Sequence, residues 1–161
     1  MQSTAGQWRN YWATMQRKPT KMADLQLPDS NKIFKATNVR KNIHPLYMEL
    51  ATNLSKIEIL KYIKIYNERI RASNYLSENK KKDPVVEIGG KDFVGVELLI
   101  DVPNKTIQFY SIISAVKGYG EKIVSAVMNI TADDWLIVIP MDWSDGFWEK
   151  MVAKYPRLIV L

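Results

Sequence analysis

In the second half of the chain, apolar residues come in short runs between turn residues, and the spacing within the runs switches between two and three to four. Residues 85–88, 93–102 and 106–114 read as three strands of a meander, separated by Gly89-Gly90 and by Pro103-Asn104. Beyond Gly118 and Gly120 the period changes. Apolar residues at 123, 124, 127, 128 and 130 predict a helix over 121–130, and residues 135–139, closed by Pro140, predict a buried strand. A Ser144-Asp145 pair is placed to cap a second helix over 146–155, Pro156 stops it, and residues 157–161 read as a last strand. The predicted order is β-β-β-turn-α-β-α-β.

The first half has a different pattern. Trp8, Tyr11, Trp12 and Met15 fall at i, i+3, i+4 and i+7, which predicts a helix over 5–17 with an aromatic stripe. Residues 19–30, with Pro19 and Pro28, read as a linker, and 31–37 as a strand. Residues 45–54 and 55–72 then read as two helices, the second with Ile57, Leu60 and Ile63 inward and a Ser55-x-x-Glu58 capping box at its start.

The junction after residue 114 carries candidate chemistry. Gly118 and Gly120 lack a Cβ, so the backbone there can take positive φ and turn its N–H groups outward. A helix begins at once, and the first N–H groups of a helix are unpaired donors at the positive end of its dipole. With Lys117 and Lys122 on either side, the turn is suited to a phosphate.

The segment Ala115-Val116-Lys117-Gly118-Tyr119-Gly120 resembles the Arg/Gln-x-x-Gly-x-Gly/Ala turn of the GNAT superfamily of N-acetyltransferases, with Ala115 in place of the usual Arg or Gln. Phe93-Val94-Gly95 and Phe147-Trp148-Glu149-Lys150-Met151 are similar to two further segments of that family, and the likeness spans residues 84–161. The resemblance implies a single α/β domain with a mixed, largely antiparallel sheet flanked by helices. Residues 31–161 would form its core and 1–30 an N-terminal helical extension. It implies a sheet that opens into a V between the strands ending near Ser114 and Ile139. Acetyl-CoA would lie there, held by Ile112, Ile113, Ser114, Val116, Lys117, Gly118, Tyr119, Gly120, Glu121 and Lys122. The implied reaction is acetyl transfer to an amine of an unknown acceptor, with Glu97 as general base and Tyr110 and Ser144 as acids.

A second reading stays open. Many family members carry a Tyr that protonates the departing thiolate where this chain has Trp148, and an indole cannot do so. The family also usually closes with a two-strand hairpin, of which one strand is present here. These features suit a catalytically inactive binding or structural subunit of a larger assembly, for example a phage virion component. The apolar run from Leu158 to Leu161 predicts a strand buried on both faces, its edge covered by the N-terminal helix or by a second copy in a homodimer.

Composition narrows these choices only partly. At 161 residues and 47% hydrophobic content, the chain suits one domain. It has no Cys and one His, His44, which leaves no thiolate metal site, no disulfide and no His-rich metal cluster. No run reaches the length of a membrane span, and the expected location is the reducing cytoplasm. Net charge is +6, with Arg9, Arg17, Lys18 and Lys21 near the start and Lys80-Lys81-Lys82 before the meander. Such charge is compatible with nucleic acid, but no recognition motif supports that partner.

Overall fold

The computed structural model describes residues 33–37, 43–80, 82–87 and 90–161. Their elements are β1 (Ile33–Thr37), α1 (Pro45–Ser55), β2 (Tyr62–Tyr66), β3 (Arg69–Ser73), β4 (Val94–Asp101), β5 (Thr106–Ser114), α2 (Tyr119–Met128), β6 (Leu136–Ile139), α3 (Phe147–Lys154) and β7 (Leu158–Val160). The strands form one mixed sheet in sequence order from β1 to β7. Pairing is antiparallel from β2 to β5 and parallel at both ends, β1 with β2 and β5 with β6 with β7.

Register sorts the central strands into two unlike faces. Ile65, Ile70, Leu98 and Phe109 stand in one cross-strand row, and Ile63, Ala72, Val96 and Ile112 in another on the same face. These rows join the core with Leu50 and Leu54 of α1, Ile123 and Val127 of α2, and Trp148 and Met151 of α3. The alternate rows are polar: Lys64, Arg71, Glu97 and Ser111 form one, and Tyr66, Arg69, Leu99 and Gln108 the next. No described helix covers that second face; residues 76–80 and 82–87 lie over it, anchored by a bridge between Leu76 and Pro84.

A β-bulge interrupts the β4–β5 ladder, where Glu97 faces Ser111 and Leu98 faces Phe109, leaving Tyr110 as the extra residue. Helix α1 starts where Pro45 occupies its first turn and the His44 Nδ1 accepts the Leu46 N–H at 3.1 Å. Leu46, Tyr47, Leu50, Ala51 and Leu54 form its buried stripe. The lone histidine is therefore a helix cap, and among the described residues no cluster of metal ligands occurs.

Three expectations are corrected. Residues 55–72 are not a helix: Ser55 ends α1, its hydroxyl donating to the Thr52 carbonyl at 2.6 Å, and β2 and β3 follow as a hairpin turning at Asn67-Glu68. Ile57, Leu60 and Ile63 are spaced for a helix, but Tyr62-Ile63-Lys64-Ile65-Tyr66 alternates, and sheet pairing decides in favour of period two. Residues 85–87 are not a strand either. They form a loop held by the Val85 N–H to Tyr75 carbonyl bond of 2.9 Å.

The third correction concerns β7, which is an edge strand and is not buried on both faces. Leu158 is buried, but Ile159 and Val160 are 39% and 40% exposed and Leu161 is 77% exposed, because no described element packs on its outer side. The predicted helix over 5–17 and the linker over 19–30 lie outside the described residues. No helix among the described residues is long and apolar enough to cross a membrane.

Candidate active site between β5 and β6

Strands β5 and β6 pair only where Thr106, Ile107 and Gln108 face Leu136, Ile137 and Val138. Beyond that point β5 continues to Ser114, whereas β6 ends at Ile139 before Pro140, which has no N–H to extend a ladder. The strands part there. The gap is a cavity of about 310 Å³ with residues 109–114 along one wall, Gly120 at one end, and Met141, Trp143, Ser144, Phe147 and Trp148 opposite.

Its floor is aromatic. Trp148 is 3% exposed, with its ring centroid 5.1 Å from that of Phe109 and 5.0 Å from that of Phe147. Its mouth is apolar and open to solvent, with Tyr110, Met141 and Trp143 exposed and Trp143 at 82%. Isolated exposed apolar residues are ordinary, but these three line one cavity.

At the far end, Gly118 takes φ 92° and caps α2. The Ser114 hydroxyl donates to the Val116 carbonyl at 2.6 Å and accepts the Gly120 N–H at 3.1 Å, which closes the turn. The Lys122 N–H returns to the Gly118 carbonyl at 3.3 Å. The N–H groups of Tyr119 and Glu121 have no acceptor among the described residues, so two donors remain at the helix start. Lys117 and Lys122 are exposed beside them, the Lys122 Nζ lying 4.8 Å from the centre of the Tyr119 ring. The Glu121 carboxylate is directed to α3, where it accepts from Lys154 Nζ at 2.9 Å, and this hydrogen bond lowers its pKa.

A second cavity, of about 340 Å³, lies on the polar face under the 77–87 segment, and Tyr110 and Ser111 line both cavities. Its wall includes Arg71, Asp83, Val85, Val86 and Glu97. Lys64 is only 6% exposed and donates to Asp83, while Glu97, 5% exposed, accepts from Arg71 Nε and lies 4.0 Å from Arg69 Nη1. Burial, the largest single effect, raises the Asp83 carboxyl, but the Lys64 and Tyr66 side chains and the charge of Arg71 together outweigh it and the net shift is downward. The Tyr66 hydroxyl is buried without a hydrogen bond of good geometry. Burial, with Asp83 nearby, pushes its pKa well above the ordinary value.

Of the three residues expected to act as acids or bases, Tyr110 and Ser144 line the first cavity and Glu97 the second. Ser144 is engaged, since its hydroxyl donates to Asp142 and accepts the Trp148 N–H at 3.2 Å, capping α3. Glu97 is engaged by two guanidinium groups. Tyr110 is 60% exposed, and its hydroxyl is not held by any described group. Ile112, Ile113, Ser114 and Gly120 line the first cavity, while Val116, Lys117, Gly118, Tyr119, Glu121 and Lys122 form the turn and helix start beside it. Sequence reading missed Met141 and Trp143 at the mouth and the whole second cavity. The alternation in β2 was the available signal for the latter.

Comparison of the chain with family models, with curated proteins and with solved structures finds no match in any of the three.

Proposed function

We propose that this chain is a GNAT-like acyltransferase that binds acetyl-CoA in the gap between β5 and β6 and acetylates an amine presented from the second cavity. The observation that carries this reading is the placement of Tyr110 and Ser111 in the walls of both cavities, so that two ligands entering from opposite sides meet at the bulge. The residues present fit the cofactor. The free N–H groups of Tyr119 and Glu121, with Lys117 and Lys122, suit a pyrophosphate, and no atom would obstruct an approach to Gly118 within 4 Å of where a Cβ would stand. The unpaired stretch of β5 offers backbone groups to an amide-bearing arm, as an added strand would use them.

When bound, acetyl-CoA supplies an activated thioester acyl group. The residues of the chain orient it and handle protons. The apolar floor of Phe109, Phe147 and Trp148 excludes water, and Tyr110, which lines both cavities, carries an uncommitted hydroxyl. Titration calorimetry with acetyl-CoA, followed by a free-thiol release assay with an amine panel, tests this. Absence of heat and of any melting shift at millimolar acetyl-CoA would overturn it.

A second reading, a binding subunit without turnover, is favoured by the commitments of Ser144 to a helix cap and of Glu97 to Arg69 and Arg71. Cofactor binding without thiol release for any amine would select it.

A further inference from the structure

Three cations crowd one buried phenol on the polar face. Lys64 Nζ lies 5.0 Å from the centre of the Tyr66 ring, and the guanidinium carbons of Arg69 and Arg71 lie 4.5 and 5.8 Å from it. Two carboxylates answer them, Asp83 paired with Lys64 and Glu97 with Arg71 and Arg69. One positive charge is left over, shared by the Arg69 and Arg71 side chains, which are 39% and 28% exposed beside the almost wholly buried Lys64 and Glu97. Glu87 also lines the cavity, but it is exposed to solvent and pairs with none of these cations. A partly desolvated excess charge favours a group of opposite sign that completes it.

Arg71 is the cation that reaches the cavity. Its Nε is spent on Glu97, and its two Nη groups have no hydrogen-bond acceptor among the described residues. A guanidinium with its outer nitrogens free is a planar fork that matches a carboxylate. Arg71, Glu97 and Ser111 are cross-strand neighbours in one row, so Arg71 stands two strands from the bulge where the cavities meet. That is about 10 Å between backbones.

Resting on the reading of the second cavity as the acceptor site, we propose that the acceptor is a small amine that also carries a carboxylate, gripped by the outer nitrogens of Arg71 with its amine toward Tyr110 and Ser111. A carboxylate balances the single excess charge, whereas a phosphate dianion would overshoot it. Val85 and Val86 supply the apolar wall for the carbon chain between the two groups.

The test uses the full chain without cofactor. Glycine, 4-aminobutanoate and 6-aminohexanoate are titrated by calorimetry beside their carboxamides, which keep shape and amine but lose the charge. The expected result is at least one acid binding about tenfold or more tighter than its amide. Arg71→Gln, which removes both the fork and the excess charge while Arg69 still faces Glu97, should erase that preference. Acids and amides binding alike, a preference that survives Arg71→Gln, or no binding by any of the acids would each overturn the proposal. Because no cofactor is present, failure here is separate from a failure to bind acetyl-CoA. The wild-type comparison also stands if the variant does not fold.

Discussion

Gly120 and Phe147 are in direct contact: a Cβ on the glycine would lie 2.9 Å from the ring's Cε1 and 3.2 Å from its Cζ. The missing side chain lets the start of α2 close on the start of α3, next to the first cavity. Gly120→Ala should therefore destabilise the protein by about 1–3 kcal/mol, the usual cost of overpacking. Phe147→Leu should relieve part of that cost in the double variant. Thermal melts of the two single variants and the double would show non-additivity, and simple additivity would mean that the contact is slack. Gly120 is accordingly a poor place to probe ligand binding alone.

Lys117 and Lys122 are better probes, because both are exposed and neither takes part in an ion pair among the described residues. Lys117→Glu with Lys122→Glu should leave the melting temperature nearly unchanged. Acetyl-CoA affinity should fall by about tenfold or more at low salt, and the difference should narrow as salt screens the field. Calorimetry at two ionic strengths is the check.

Trp148→Tyr would introduce a hydroxyl at this position, but Trp148 is nearly fully buried between Phe109 and Phe147. The smaller ring should leave space and cost about 1–3 kcal/mol, with no gain in thiol release. Raised turnover in the variant would show instead that a hydroxyl there reaches the cofactor.

Tyr110→Phe should leave stability as it is, the ring being largely solvated, and lower thiol release by about 10²-fold or more if the hydroxyl handles a proton. Unchanged turnover with normal acetyl-CoA binding would transfer that role to water.

Acid should weaken the polar face in a defined direction. The folded Asp83 carboxyl sits below its ordinary value of 3.8, so the unfolded chain binds more protons in that range. The stability that Asp83 contributes is full above the unfolded value and is lost as pH falls through the folded one. Urea midpoints for wild type and Asp83→Asn should thus be well separated near neutral pH and converge in acid. A constant separation would mean that the contact with Lys64 does not set this dependence.

The parts of this fold legible in the sequence were those with punctuation on the chain itself. Pro103-Asn104, Gly118, Pro140 and Pro156 each mark a boundary, and β5, α2, β6, α3 and β7 fall within about two residues of their expected positions. The second helix failed because 55–72 carries two periods at once, and the choice between them rests on pairing with β4, more than twenty residues downstream. The polar face was hidden for a related reason. A lysine such as Lys64 reads as solvated until a loop nineteen positions away brings Asp83 to it. Ser111 and Tyr110 gave no sign of lying between two cavities, since a bulge is a property of two strands and neither strand shows it alone.

That bulge also sets the reading frame of the pleat. Phe109, Ile112 and Ser114 all face the helices although an odd residue intervenes, because Tyr110 is absorbed without being counted. Removing it would turn none of its neighbours over, and replacing it disturbs no row of the ladder. Of the two positions shared by both cavities, residue 110 is thus the one most nearly uncoupled from the pairing of β5. New side chains can be tried there at little risk to the sheet, which makes residue 110 the natural place for this scaffold to change its chemistry.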